Sequence, residues 1–432
     1  MPFPQQLHWR SRQASPFHNG SDRPLRATAY LTSTSGSEPA NQVLQEFGAG
    51  NVIDVYDGSP GAHPGIEFER DETRHRDGLM GATIRDTNRR RSWLVPIGLW
   101  RTLCDHFAPS LPARSVELIA AHDGAENDLL LTDDEPLLAL RNHERFSALN
   151  ICELTTGIKT AGVLLRSRRD FTVSAATQFR EVEDPILFYR ALAINWLPMV
   201  FRFNMGMAAA HRVHMGVVHA VIDRATQALV ACDALGAEFF QTQDNHVRRR
   251  SMYHFDYLML LCAGCCDAVA LLGNRLAGLG LNPNGCSLWR RDFRDAARRR
   301  GIANLDDVRT IGILRILTIL RNSIHGEPLL PMGLEQPGRP ARSAVYTPDA
   351  SQSAELRRLA MELGVAGDIG LIPPPPPMAM VEPYSTGLWL TREVLRIVDD
   401  FAAAVVILGC GAVPPPAVRE PGSDRIALLG GI

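Results

Sequence analysis

The spacing of apolar positions changes character partway along the chain. From about Pro185 onward, leucine, isoleucine, valine, alanine and phenylalanine recur at helical spacing in long runs. The stretch "ILFYRALAINWLPMVFRFNMGMAAAHRVHMGVVHAVIDRATQALVACDALGAEFF" reads as helix with one break at Pro198, which lacks an N–H and crowds the preceding turn. A second helix is expected from about Arg250 to Leu279. A third, "SLWRRDFRDAARRRG", should stop at Gly301. A fourth should begin after "NLDD", capped by Asn304 or Asp306, and run to Gly326. After a loop insertion over 331–385, extended at Pro373 to Pro377, the helix "TREVLRIVDDFAAAVVILG" should end at Gly409. Helices with such wide apolar faces predict an all-α bundle over 185–410, followed by a tail over 411–432.

The N-terminal part is different. Residues 1–48 are rich in Ser, Pro, Gln, Arg and Gly without periodicity, which predicts a disordered lead-in. From 49 to 184, "NVIDVY", "SVELIAA" and "DFTVSAATQFREV" carry β-branched residues between turn clusters such as "DGSPGAHPG". "SWLVPIGLWRTLCDHF" reads as a helix after Pro96. The predicted fold class is therefore α+β: a small mixed N-terminal domain followed by a helical bundle.

Composition narrows the function classes only modestly. The 432 residues carry a formal charge of −2, so any nucleic-acid affinity must come from a local patch. Nearly all the basic residues are arginine, and Lys159 is the sole lysine. Eight cysteines in a chain of this length do not make a disulfide framework, and "LLCAGCCDAV" reads as buried thiols in an apolar helix. No secretory signal is visible at the N-terminus, and the run Tyr257 to Leu272 is short for a membrane span. A cytoplasmic protein without membrane contact, metal or cofactor is expected.

The candidate chemistry lies in "RNSIHG", Arg321 to Gly326, at the end of the apolar run "VRTIGILRILTIL". On a continuous helix Arg321 and His325 share a face, with Thr318 and Asn322 in the same sector. A histidine in the last turn feels the negative end of the helix dipole, which favours its charged form and suits proton transfer near neutral pH. An arginine offers a rigid fork of donors to a phosphate. An Arg/His pair without a carboxylate cluster points to metal-independent chemistry on a phosphodiester. The plainer explanation is a polar helix end, where both residue types interact with the last carbonyls.

The segment "ILRNSIHGE" resembles the signature of the HEPN superfamily (higher eukaryotes and prokaryotes nucleotide-binding), in its Apea-like and abortive-infection-type branches. "FDYLMLLCAGCCDAVALLGN" is similar to the early apolar helix of those domains, and the resemblance covers roughly residues 185–410. Three residues separate Arg321 from His325, where the family usually has four to six. The resemblance implies a HEPN-like helical bundle and a homodimer. It also implies a metal-independent endoribonuclease or RNA-binding protein, with defence or toxin systems as its setting. By position, His325 would assist attack of the RNA 2′-hydroxyl, Arg321 would stabilise the developing charge and Asn322 would orient one of them. The alternative is a non-catalytic interaction or dimerisation module.

Further residues are candidates in support. Asp267 lies with Asp256 and Asn274 on a thin polar line of the second helix, either a solvent-facing stripe or the means by which Asp267 pairs with Arg315 or Arg321. The triplets Arg248, Arg249, Arg250 and Arg298, Arg299, Arg300 each have an aromatic nearby, which suits single-stranded RNA but equally describes solvated helix ends. Arg89 to Arg91 beside Trp93 form a third such triplet. His211, His214 and His219 share one helix face but lack the glutamate of a metalloprotease. "TTGIKTAG" lacks the glycines of a phosphate-binding loop.

Overall fold

Asp244 starts the longest helix by accepting hydrogen bonds from the His246 and Val247 N–H groups, both at 2.8 Å. That helix is the centre of the computed structural model. The structure describes residues 25–30, 53–57, 66–71, 81–86, 91–94, 115, 119, 122, 127–142, 149–167, 172–175, 178–181, 185–206, 209–324, 329–334, 342–372 and 379–410.

The described helices, in chain order, are α1 (Glu135–Ala139), α2 (Leu154–Ser167), α3 (Pro185–Trp196), α4 (Pro198–Gly206) and α5 (Met215–Phe239). They continue with α6 (Asn245–Leu276), α7 (Arg291–Arg299), α8 (Val308–Asn322), α9 (Ala350–Glu362) and α10 (Pro383–Cys410). The helices dominate, with a few small sheets beside them, an α+β layout.

Helices α5 and α6 form a hairpin, and α10 packs along both. The core of the hairpin is built from Val221, Ile222, Leu229, Phe255, Leu258 and Met259, all buried. Each such side chain contributes about 1.5–3 kcal/mol by leaving water. Close approach of α6 and α10 depends on Gly273, where a Cβ would lie 2.7 Å from the Phe401 ring. Helix α6 has the length and composition to cross a bilayer, but 61% of its apolar window is buried inside this protein, as expected of a bundle's central helix.

Pro198 breaks the helix as anticipated, and α3 and α4 meet at 104°. The N–H groups at the start of α4, which lack partners within the helix, are satisfied from across the fold: Asp399 Oδ1 accepts from Met199 at 2.9 Å and Val200 at 3.1 Å.

Four strands, β1 (Leu25–Tyr30), β2 (Ile53–Asp57), β6 (Leu129–Thr132) and β7 (Ile151–Cys152), form a parallel sheet in the order β2-β1-β6-β7. Strands β3 (Ile66–Asp71), β4 (Gly81–Asp86) and β5 (Arg91–Leu94) form an antiparallel sheet, and β8 (Thr172–Ala175) pairs with β9 (Gln178–Glu181). "NVIDVY" and "DFTVSAATQFREV" thus carry strands, as their composition suggested.

Several expectations need correction. Strand β1 lies inside the presumed lead-in; Leu25 and Ala27 are buried and the strand is paired on both edges. A six-residue strand among Ser and Pro is too short to stand out by periodicity. "SVELIAA" is helical at Ser115 and Ile119, as is His122 just after it, and those buried positions repeat at four and three, a helix face. "SWLVPIGLW" opens on strand β5, and residues 95–114 lie outside the described residues. The apolar core also crosses the expected boundary at 184, running from Leu25 through Ile158 to Val406.

The region 185–410 is not purely helical. Strands β10 (Leu330–Leu334), β11 (Arg342–Tyr346) and β12 (Met380–Val381) make an antiparallel sheet within it. Helix α9 also fills part of the expected loop, started by Asp349, whose carboxylate accepts from Gln352 N–H at 2.8 Å. Its two partly buried turns, Leu356 with Leu359 and Ala360, are too short a signal to separate from the flanking Pro- and Gly-rich sequence. Pro373 to Pro377 and the tail 411–432 lie outside the described residues.

Candidate functional site

Helix α8 is held by its apolar side: Ile313, Leu314, Ile316, Leu317, Ile319 and Leu320 are buried. Its N-cap is Asp307, rather than the expected Asn304 or Asp306, accepting from Thr310 N–H at 2.9 Å. The helix ends at Asn322 rather than at Gly326. Ser323 closes it, with its hydroxyl donating to the Ile319 carbonyl at 3.0 Å, and Ile324 N–H turns back to the Arg321 carbonyl at 3.1 Å. The expected last-turn histidine, His325, lies outside the described residues.

Arg321 is half-buried in the last turn. Its Nη1 donates to Asn322 Oδ1 at 3.2 Å, while its Nε is buried with no hydrogen-bond partner among the described residues. Asn322 is exposed. Thr318 is occupied within its own helix, its hydroxyl donating to the Leu314 carbonyl at 2.7 Å. Arg315 does not join Asp267: it forms a two-pronged pair with Glu355 of α9, at 2.8 and 2.7 Å. Of the two partners anticipated for Asp267, Arg321 is the one near it.

Asp267 sits half-buried on α6. Burial raises its carboxyl above the usual range, and the neighbouring Ser287 hydroxyl and the Arg321, Arg224 and Arg290 guanidinium groups oppose that rise. Among these charges Arg321 acts most strongly. None of the three arginines closes to ion-pair distance on a described carboxylate. By contrast, Arg250, Arg298, Arg309, Arg315, Arg358 and Arg396 all do.

The local chain explains how these groups meet. Arg224 of α5 lies across Gly264 of α6, donating to its carbonyl at 3.1 Å; a Cβ there would sit 2.9 Å from Arg224 Cδ. Asp267 follows one turn later on the same helix face. Asn274 ties the loop after α6 back onto it, donating to the Leu281 carbonyl at 2.8 Å and accepting from Leu281 N–H at 3.0 Å. Buried Leu288 then anchors the segment carrying Ser287 and Arg290. The thin polar line on α6 is thus a loop anchor at Asn274 and a charge centre at Asp267. Asp256, the third member, has a buried Oδ1 without a partner, and burial raises its pKa to about 6.

Three guanidinium groups act on one carboxylate without closing an ion pair, and the buried Arg321 Nε has no hydrogen-bond partner among the described residues. Such a place suits an oxyanion with several acceptor oxygens. Arg224, Arg290 and Ser287 did not stand out in the sequence because no spacing rule links α5, the loop before α7 and α8. Only the absence of acidic residues at i±3 and i±4 from Arg224 hinted at an unpaired cation.

The arginine triplets do not behave as units. Arg248 bonds Asn245 Oδ1 at 3.2 Å, Arg250 pairs with Glu238 at 2.9 Å, and Arg249 is exposed. Arg298 pairs with Asp306 at 2.5 Å, Arg300 donates to the Gly278 carbonyl at 3.0 Å, and Arg299 is exposed. His211 and His214 stack with centroids 6.3 Å apart, and burial lowers the His214 pKa. Among the described residues no group of three or more His, Cys, Asp and Glu side chains is disposed to hold a metal ion. No protein-family model, no curated protein and no solved structure matches this chain.

Proposed function

We propose that the protein acts on RNA as a HEPN-type, metal-independent endoribonuclease, with Arg321 at the centre of the site. The observation that carries this reading is the unpaired guanidinium charge of Arg321, Arg224 and Arg290 around Asp267. A scissile phosphodiester placed there accepts hydrogen bonds from Arg321, whose fork stabilises the charge growing on the phosphoryl oxygens. His325 removes the proton from the RNA 2′-hydroxyl as its oxygen attacks phosphorus. The bond to the 5′-oxygen breaks, leaving a 2′,3′-cyclic phosphate and a 5′-hydroxyl that takes up a proton. Asn322, bonded to Arg321, holds the guanidinium in register. Asp267 limits its swing without neutralising it. The resemblance also implies a homodimer.

The test is cleavage of single-stranded RNA by the purified full-length chain in excess chelator, with end-group analysis of the products. Cyclic phosphate ends that disappear with Arg321→Ala support the reading, and a requirement for added metal overturns it. Exposed Tyr253, Tyr257 and Leu260 on α6 also suit a non-catalytic binding module, which would bind RNA and leave it intact.

A further inference from the structure

The outer face of α6 runs from its N-terminal end to the candidate site. Arg249, Tyr253, Tyr257, Leu260 and Asp267 fall within an arc of about 80° on one helix. Tyr253 is 68% exposed, Tyr257 41% and Leu260 39%, although large apolar and aromatic side chains usually seek cover. Tyr253 and Asp267 are separated by fourteen positions, about 21 Å along the axis at the helical rise. At the near end stands exposed Arg249, which makes no ion pair among the described residues; at the far end stand Arg224, Arg290 and Arg321.

We propose that this face is a track for single-stranded RNA, with bases stacking on Tyr253 and Tyr257 and the strand leading into the arginine cluster at Asp267. This inference rests on the RNA reading above and adds the substrate's path. The rings are one helical turn apart, both on the outside, and each offers a face that any base can stack against. Cations at both ends suit the phosphates that enter and leave. A duplex, whose bases are paired and stacked internally, has nothing to offer the tyrosines.

The experiment measures binding of a fluorescent twelve-nucleotide oligouridylate to full-length protein in chelator, using Tyr253→Leu/Tyr257→Leu, Tyr253→Phe/Tyr257→Phe and Arg321→Ala variants. Both tyrosines are exposed, so the folded state should tolerate the changes, and melting curves verify that. The leucine pair should bind about tenfold or more weakly, the phenylalanine pair should bind like the parent, and a matched duplex should not distinguish them. If the leucine pair binds as tightly as the parent while Arg321→Ala weakens binding, the track is wrong and the arginine site stands. If the parent binds no single-stranded RNA, both readings fall. If the leucine pair instead converts a sedimenting dimer to monomer with RNA affinity unchanged, the face is a self-association surface and the proposal is overturned.

Discussion

Arg166 and Asp233 face each other in the core: Arg166 Nη2 donates to Asp233 Oδ1 at 2.8 Å, and its Nε donates to Oδ2. The pair joins α2 to α5 across the boundary expected at residue 184. Tyr189 adds its hydroxyl to Asp233 Oδ2 at 2.9 Å, bringing in α3. Removing one partner strands the other's charge among apolar groups. Asp233→Ala should therefore cost about 3–5 kcal/mol in urea denaturation, and Tyr189→Phe about 1–2 kcal/mol. A loss below about 1 kcal/mol for Asp233→Ala would mean that the amino-terminal layer is not docked through this pair.

Asp399 sets a pH dependence. Burial raises its pKa to about 6, and the two N–H groups at the start of α4 only partly offset this. The folded chain thus holds the proton more tightly than the unfolded chain, whose aspartate titrates near 4. The contribution is therefore largest below about pH 4, falls as pH rises towards about 6, and then levels off. Asp399→Asn keeps an oxygen for both N–H groups and removes the titration. Melting temperatures should show the variant gaining on the parent between pH 4 and pH 7, by on the order of 2–3 kcal/mol. A constant difference over that range would contradict the assignment.

At the candidate site, Arg321→Lys should remove most RNA cleavage, because an ammonium cannot reproduce a planar fork on a phosphate. His325→Ala should abolish it, and Asn322→Ala should reduce it more mildly. Asn322 is exposed, so its stability cost should stay within about 0.5 kcal/mol. Cleavage that survives His325→Ala would place the chemistry elsewhere in the chain.

Thiol reactivity should follow burial. Burial raises the pKa of Cys152 and Cys265 to about 12 and pushes Cys232, Cys262 and Cys266 higher still. A thiolate-selective reagent on the native protein should modify Cys410, the one described cysteine that is not fully buried, before these five. Mass spectrometry of partly labelled protein would read the order, and early labelling of Cys262 or Cys265 would show that the α6 core opens readily.

Much of the helical part was legible in the sequence. Long apolar runs with a period near 3.6 can bury one face only as helices, and Pro198 can only break one. The helices from α5 to α8 and α10 follow from that local rule, with ends shifted where a different residue supplied the cap, as Asp307 did. Arg321 and Asp267 were also visible as polar residues on apolar helices. Short elements were not. Strand β1 and the β10–β12 sheet carry too few residues for their pattern to rise above that of a loop, and strands are stable only once paired; α9 buries only Ser353, Leu356, Leu359 and Ala360 of its 13 residues.

What the tertiary structure alone decided is which charges share a place. Ion pairs between distant segments depend on distances that no sequence spacing encodes, so Arg315 went to Glu355 while Arg224 and Arg290 gathered with Arg321 around Asp267. The core crosses residue 184 for the same reason. Burial rewards any apolar surface brought together, whatever its separation along the chain.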